Sequence, residues 1–234
     1  SSKRQSMITA LLDGDIFAFR VACTTENDPD GIAIYRINEM IEQCLAEVDA
    51  DEYSIFLTSK DNFRKKIYPE YKANRKTPPP KHLTFLKDYL INDWNAQEAT
   101  GMEADDYLGI HQNKDTIICS IDKDLLQVSG RHYNFVKKEF YEIEELEGLR
   151  KFYKQLLTGD TSDHIKGIEG IGPVKAEKAL MFCESEQEMF DKVREMYDND
   201  DWLIMNGRCL WVLRSLDDDW TKHFERLSNG MDRG

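Results

Sequence analysis

The sequence has no long hydrophobic stretch and no paired cysteines. None of its uncharged runs exceeds ten residues, which argues against a membrane-spanning helix, since such a helix needs about 20 apolar residues. Its five cysteines are scattered without a C-x-x-C pair, so neither a zinc site nor a disulfide framework is indicated. A reducing compartment is the simplest setting for such a chain, and we expect a cytoplasmic protein.

Positive charge is also scarce, but it is unevenly distributed. The 234 residues carry 44 acidic and 31 basic side chains, and the resulting charge of −13 normally argues against nucleic-acid binding. Residues 60–76, however, hold seven bases and two acids, whereas residues 184–219 hold eleven acids and four bases. A chain polarised in this way can meet a polyanion with one surface only.

The apolar residues, 41% of the chain, alternate between strand and helix patterns. Residues 7–12, 53–58 and 116–121 are short apolar runs that predict buried strands. Between the first two runs, Ile37, Ile41 and Cys44 have the spacing of one helix face, and two further helical patterns precede the third run. Strands that alternate with helices predict an α/β fold with a parallel sheet covered on both faces.

The pattern changes after residue 157. A helical pattern over residues 149–157 gives way to a glycine-rich stretch over residues 159–172. We therefore place a boundary near residue 155. A core spans residues 1–155 and includes a basic segment of about 60–84, and a second lobe spans residues 156–234. The tryptophans at 202, 211 and 220 predict a C-terminal helical segment in that lobe.

Eight acidic side chains fall at predicted strand ends and helix starts, where each alone is also consistent with a turn or a helix cap. Ligands of open parallel sheets bind beyond the carboxyl ends of the strands, so these acids would gather at one rim. Their mutual repulsion would be prohibitive without cations, and hard oxygen ligands select Mg²⁺ or Mn²⁺. Two such ions about 3.5–4 Å apart can promote hydrolysis of a phosphodiester. The eight acids are Asp13, Glu103, Asp105, Asp106, Asp122, Asp124, Asp160 and Asp163.

Six motifs in order resemble the 5′→3′ exonuclease and flap endonuclease family. This family includes the nuclease domain of bacterial DNA polymerase I and short phage 5′ exonucleases, and the size of this chain resembles the phage enzymes most. The resemblance covers roughly residues 7–183. The motifs are LLDG at 11–14, FR at 63–64, YPEYKANR at 68–75, EADD at 103–106, DKD at 122–124 and GDTSD at 159–163, and GIEGIG follows at 167–172.

The resemblance implies a fold and an activity. The fold would be a PIN-like, Rossmann-like parallel sheet flanked by helices, with a helical arch and a helix-hairpin-helix lobe. The protein would be a monomer that hydrolyses DNA at 5′ ends or 5′ flaps with two Mg²⁺ or Mn²⁺ ions, in phage-type replication. RNA of RNA/DNA hybrids is a further substrate that the resemblance leaves open.

The resemblance also implies roles for the acids. One metal ion would take Glu103, Asp105 and Asp122, and the other would take Asp124, Asp160 and Asp163. The cluster would be completed by Asp13 and Asp106, with some contacts through water. Relatives usually carry an acid just after the second strand, where this chain has Ser59 and places Asp61 two residues later. Because a shift of two residues re-aims a side chain, we do not expect Asp61 to be a direct ligand.

The basic segment interleaves cations with aromatic rings, as a channel for single-stranded nucleic acid requires. A solvated surface is the alternative for several of its lysines. The resemblance identifies Lys72 and Arg75 as the cations that contact the scissile phosphate, so the predicted catalytic residues are Lys72, Arg75, Asp13 and Asp122. The other predicted nucleic-acid contacts in this segment are Arg64, Lys65, Lys66, Tyr71 and Lys76.

The glycine-rich stretch predicts a hairpin turn that leads into a helix. Pro173 suits a first helical position, and backbone amides at such a helix start bind phosphate without reading sequence. The family has a helix-hairpin-helix element here, so Gly170, Gly172 and Lys175 are predicted to contact duplex DNA. The backbone carbonyls of Ile168 and Ile171 are predicted to hold a K⁺ ion.

Two other functions remain open at this point. A PIN-type ribonuclease would share the acidic core, but it would have no need of the glycine hairpin or of the basic motif that ends at Arg75. A DNA-structure-binding protein without catalysis would have lost its metal ligands. The acids of the other motifs are intact, and only the position at Ser59 is altered.

Overall fold

A computed structural model of the chain describes residues 7–230, which fall into two compact units. The first unit comprises the chain up to Asp61, Thr77–Leu125 and Gly130–Glu142. The second comprises Asn62–Lys76, Leu126–Ser129 and the chain from Ile143 onward. This division differs from the predicted domains, because residues 62–76 and 143–155 group with the second unit.

A six-stranded sheet forms the centre of the first unit. The strand order is β3-β2-β1-β4-β5-β6, and the four central pairings from β3 to β5 are parallel, which confirms the predicted α/β class. The third predicted run ends its strand at Cys119, two residues early, because the chain then turns. The strands are β1 Thr9–Asp13, β2 Glu52–Leu57, β3 Gln97–Glu98, β4 Thr116–Cys119, β5 Gly130–Asn134 and β6 Glu139–Ile143.

Helices cover the sheet and build most of the second unit. None of the helices within residues 7–230 has the length and apolar character needed to cross a membrane. A short 3₁₀ helix spans Lys123–Gln127. The α-helices are α1 Gly14–Thr24, α2 Asp30–Glu47, α3 Phe63–Ile67, α4 Leu83–Trp94, α5 Ala104–His111, α6 Glu145–Thr158, α7 Pro173–Leu180, α8 Glu186–Met196, α9 Asp200–Leu210 and α10 Trp220–Ser228.

The core of the first unit lies between β1 and the helices that pack on it. Ala10 and Leu12 of β1 are fully buried, and Phe17 of α1 stacks on Phe135 with ring centroids 4.2 Å apart. On α2 the residues with helical spacing, Ile37, Ile41 and Cys44, are the buried ones, as predicted. Burial of this single stripe orients α2 against the sheet.

Gly14 allows α1 to begin close to β2. A Cβ atom at this position would lie 2.7 Å from the carbonyl oxygen of Phe56 and 2.8 Å from the Leu57 side chain. Backbone this close leaves no room for any other residue. The first turn of α1 therefore lies against the carboxyl end of β2.

The second unit is organised around α6. Its buried stripe, Phe152, Tyr153, Leu156 and Leu157, packs against α7, α8 and α9, which explains why this helix groups with the C-terminal segments. Trp220 of α10 is buried against Phe152 with ring centroids 5.6 Å apart. The C-terminal part of the chain within the described residues thus consists mainly of α8, α9 and α10. Between α6 and α7, β7 Gly159–Asp160 and β8 Ile165–Lys166 form an antiparallel hairpin.

The contact at Gly14 predicts the effect of a single methyl group. Gly14→Ala should lower the free energy of unfolding by about 1–3 kcal/mol, because the new Cβ meets backbone that cannot move aside. Gly31→Ala is the matched control, since nothing lies within 4 Å of its Cβ position in α2, and it should raise that free energy by up to about 1 kcal/mol. Urea unfolding measures both, and equal stability of the two variants would contradict the predicted close approach.

Candidate active site

Asp13 is the centre of an acidic group in the first unit. It ends β1, is buried, and caps α1 by accepting a hydrogen bond from the Ile16 amide at 3.4 Å. Its second carboxylate oxygen accepts a hydrogen bond from the Ser120 hydroxyl at 2.8 Å. Because β1 and β4 are parallel neighbours, both side chains lie at the carboxyl edge of the sheet, where ligands of such sheets bind.

The turn after β4 contributes two more acids. The Ser120 hydroxyl accepts a hydrogen bond from the Asp122 amide at 3.1 Å, and the Asp122 carboxylate accepts one from the Asp124 amide at 2.9 Å. Ser120 therefore links Asp13 to the turn that carries Asp122. The sequence pattern does not identify Ser120 as a site residue, because a serine near a strand end is an ordinary turn residue.

The start of α5 contributes the third group of acids. Glu103 caps the helix, and its amide donates a hydrogen bond to the Asp106 carboxylate at 3.0 Å, which completes a reciprocal capping box. Both side chains are buried. One carboxylate oxygen of Asp106 is thus engaged in holding the helix start, so Asp106 has a structural role besides its predicted place in the metal cluster.

Electrostatic repulsion connects these three groups. The pKa of Asp13 is raised from 3.8 to about 8, first by burial and then by the charges of Asp15 and Asp122, although the Ser120 hydrogen bond acts in the opposite direction. The pKa of Asp105 is raised well above its usual value, again by burial first. The neighbours whose charges raise it are Asp122, Asp13, Glu103 and Asp106.

Such a donor set fits a divalent cation. Carboxylate oxygens are the ligands that Mg²⁺ and Mn²⁺ prefer, and a bound cation would remove the repulsion that now raises the pKa values of Asp13 and Asp105. The described residues thus bring Asp13, Asp105 and Asp122 into electrostatic contact, as the strand-end rule predicted. Their assignment as metal ligands stays a prediction.

Asp15 is an acid that sequence analysis did not select. It lies in the first turn of α1, and its carboxylate accepts hydrogen bonds from the Thr58 amide at 3.1 and 3.2 Å and from the Thr58 hydroxyl. The signal in the sequence was the second acid of Asp-Gly-Asp after the first strand, which a helix dipole alone accounts for. Asp61, in contrast, is exposed, and its backbone is hydrogen-bonded to the Ser59 hydroxyl.

The remaining two acids lie on the hairpin of β7 and β8 in the second unit. The Asp160 carboxylate accepts a hydrogen bond from the Asp163 amide at 3.2 Å and another from the Gln155 side chain at 3.1 Å. Asp160 is therefore oriented by its own hairpin and by the last turns of α6. The place of Asp160 and Asp163 beside Asp124 at a second ion stays a prediction.

Residues 68–75 of the basic segment pack on this hairpin. The Lys72 amide donates a hydrogen bond to the Asp163 carbonyl at 2.9 Å, and the Arg75 guanidinium donates to the Ser162 carbonyl at 3.2 Å and to the Asp163 carboxylate at 2.8 Å. Lys72 has a φ of 58°, and residues 69–74 form tight turns. Within the predicted basic segment of about 60–84, only α3 and the first two residues of α4 are α-helical.

Two predicted nucleic-acid contacts require correction. Arg64 is 2% exposed, and its guanidinium donates hydrogen bonds to the carbonyls of Cys209 and Trp211, both at 2.8 Å. Tyr71 is 3% exposed, so its ring is not available to stack on a base. Arg64 thus links α3 to the end of α9 within the second unit. Of the cations predicted to contact nucleic acid in this segment, Lys65, Lys66, Arg75 and Lys76 are exposed.

The glycine stretch forms the predicted turn before α7. The Ile171 amide donates a hydrogen bond to the Ile168 carbonyl at 3.2 Å, and Gly170 between them has a φ of 80°. Gly172 is the N-cap of α7 and Pro173 its first residue, as predicted. Gly170, Gly172 and Lys175 are exposed. Their contact with DNA, and a K⁺ ion on the carbonyls of Ile168 and Ile171, stay predictions.

Known proteins match this chain over most of its length. A family model described as 5′-3′ exonuclease, N-terminal resolvase-like domain, matches residues 9–154. DNA polymerase I of Caldicellulosiruptor bescii is 29% identical over 228 residues, which cover 82% of this chain and 26% of that protein. The 5′-3′ exonuclease of Buchnera aphidicola is 26% identical over 216 residues, which cover 81% of this chain and 72% of that protein. The chain thus spans about a quarter of the polymerase and most of the exonuclease.

Solved structures share the fold. The T5 5′-exonuclease with bound divalent metal ions (zinc) superposes with a TM-score of 0.69 at 18% identity, covering 86% of this chain and 88% of that one. The bacteriophage T5 D15 flap endonuclease, in a complex with DNA and metal ions, superposes with a TM-score of 0.69 at 16% identity, covering 94% and 98%. At these identities the likeness establishes the fold.

The raised pKa of Asp13 predicts a pH-dependent stability of the metal-free protein. Between pH 4 and 8 the folded chain keeps a proton that the unfolded chain has released, so unfolding becomes easier as pH rises. One proton contributes at most about 1.4 kcal/mol per pH unit. Urea unfolding in a chelator at several pH values should show this slope, and Asp13→Asn should flatten it. The same slope in both proteins would contradict the prediction.

The burial of Arg64 predicts that it stabilises the fold. Arg64→Ala leaves two buried carbonyls without their donor and should lower the free energy of unfolding by about 3 kcal/mol. Lys65→Ala, at the exposed neighbour, should change it by less than about 0.5 kcal/mol. Urea unfolding compares the two variants. Equal stability of the two variants, together with a loss of DNA affinity in Arg64→Ala, would show that Arg64 contacts nucleic acid and does not stabilise the fold.

Proposed function

We propose a function for this chain from the family to which it belongs, the 5′-3′ exonuclease N-terminal, resolvase-like domains. It is a metal-dependent nuclease that hydrolyses DNA phosphodiesters from 5′ ends or at 5′ flaps. The observation that carries this proposal is the group of Asp13, Asp105 and Asp122 at the carboxyl edge of the sheet, whose mutual repulsion a divalent cation would relieve.

Two Mg²⁺ or Mn²⁺ ions complete the site in this proposal. The residues that hold the first are Glu103, Asp105 and Asp122, with Asp13 beside them, and those that hold the second are Asp124, Asp160 and Asp163. When bound, such ions supply an activated water and stabilise the leaving oxygen in an in-line displacement. The chain's own contribution is to fix the acids: Ser120 holds Asp13, and the capping box holds Glu103.

Lys72 and Arg75 act on the phosphate. Their charge stabilises the negative charge that develops on the phosphodiester in the transition state, which lowers the barrier more than it strengthens substrate binding. The other exposed cations of the basic segment bind the 5′ strand. The start of α7 binds duplex DNA through backbone amides, which read no base sequence, so the DNA structure at the 5′ end determines where cleavage occurs.

The remaining properties of the proposed enzyme follow from its family. It acts as a monomer in the cytoplasm, in replication of the phage type, and leaves 5′-phosphate and 3′-hydroxyl products. RNA in RNA/DNA hybrids is included as a substrate, since RNA and DNA share the phosphate groups that these contacts bind.

The proposal predicts that Asp122→Asn abolishes cleavage and largely preserves DNA binding. Cleavage of a 5′-flap duplex in Mg²⁺ should fall at least about 100-fold, because the variant removes a ligand from the metal site. Asp115→Asn is the matched control, since Asp115 is exposed just before β4 and Asp122 lies beyond its other end. Its activity should be unchanged. Cleavage with product lengths, and binding to the same flap, are measured for each protein.

A panel of substrates completes the test. Flap, nicked and blunt duplexes are compared with an RNA hairpin, each with Mg²⁺ and with chelator. Preference for the RNA hairpin would replace the proposal with a PIN-type ribonuclease. Binding of flaps without metal-dependent cleavage would leave a DNA-structure-binding protein, and retained turnover by Asp122→Asn would count against the metal site itself.

A further inference from the structure

We propose that Asp15 and Thr58 are positioning residues of the metal centre, which fix the start of α5 and thereby Glu103 and Asp105. The inference rests on the proposed function, because it concerns the same site. Its evidence is a chain of hydrogen bonds within the first unit that runs from α1 through the end of β2 to the first residue of α5.

The chain begins where β1 passes into α1. Gly14 brings the first turn of α1 against Phe56 and Leu57, so Asp15 lies beside the residue that follows β2. The Asp15 carboxylate there accepts hydrogen bonds from both the amide and the hydroxyl of Thr58. Asp15 therefore binds the residue that follows the neighbouring strand β2, whereas α1 itself is capped by Asp13.

The hydroxyl of Thr58 also binds the first residue of α5. Since its proton is donated to Asp15, its oxygen presents lone pairs to other donors, and it accepts a hydrogen bond from the Ala104 amide at 3.0 Å. Ala104 is the first residue of α5 and stands between Glu103 and Asp105. A hydroxyl without an acidic acceptor would be free to rotate, so Asp15 sets the direction of the bond that holds this helix start.

The position of Asp15 is electrostatically unfavourable, which argues against an incidental contact. It stands two residues from Asp13, and the like charges of the two carboxylates repel each other. Lys87 of α4, at 3.7 Å, offsets part of the repulsion. A neutral residue at position 15 would avoid it altogether. The hydrogen bonds that the Asp15 carboxylate accepts from Thr58 therefore account for an acid at this position.

Mn²⁺ binding, measured by the loss of the free-ion electron spin resonance signal, tests this inference separately from cleavage. Asp15→Asn and Thr58→Val should each weaken Mn²⁺ affinity about 10–100-fold, the usual effect of removing a group that orients a metal ligand. Thr58→Ser, which keeps the hydroxyl, should hold Mn²⁺ affinity within about threefold of that of the unaltered chain. Glu145→Gln is the control for loss of one charge, since this exposed acid lies in the first turn of α6.

Urea unfolding of each variant separates positioning from stability, because affinity is compared among variants that are fully folded under the assay conditions. Unchanged affinity in Asp15→Asn, or equal affinity in Thr58→Val and Thr58→Ser, would overturn the inference. Absence of Mn²⁺ binding by the unaltered chain would overturn the proposed function as well, whereas Mn²⁺ binding without cleavage would overturn the function alone.

Discussion

The main physical constraint on the first unit is the repulsion among carboxylates that its fold brings together. Asp13, Asp105 and Asp122 come from different strands and helices, and burial together with neighbouring charge raises the pKa of Asp13 to about 8. A fold does not gain stability from such a group. Hydrogen bonds from Ser120 to Asp13 and from Glu103 to Asp106 hold these acids in place despite their repulsion. A bound divalent cation would turn this unfavourable electrostatic energy into a favourable one.

Much of this unit could be predicted from the sequence, because its order is local. The apolar stripe of α2 and the buried run of β1 are periodic, and parallel strands place their carboxyl ends at one edge, so Asp13 and Asp122 could be brought together without coordinates. The contact between Asp15 and Thr58 could not. It depends on the register between β1 and β2 and on the close approach at Gly14, which link positions 43 residues apart.

The basic segment shows where composition ceases to be informative. Seven bases within residues 60–76 indicate an anionic partner, but the sequence does not distinguish a guanidinium in solvent from one that caps backbone carbonyls. Arg64 is of the second kind, because it binds the carbonyls of Cys209 and Trp211 at the end of α9, which lie 145 and 147 residues away in the sequence. Tyr71 is also buried. Long-range packing decides the role of such residues, and charge density alone does not.

The two cations assigned to the phosphate differ in how the second unit holds them. Lys72 is fixed through its backbone, which donates to Asp163, so its side chain is not needed for this contact. Arg75 is held through its guanidinium, and the ion pair with Asp163 leaves its side chain 56% exposed. The Asp163 side chain of this pair is only 17% exposed, and the guanidinium also donates to the Ser162 carbonyl. Arg75 would have to give up both contacts to reach a phosphate, whereas the backbone contact of Lys72 does not involve its side chain.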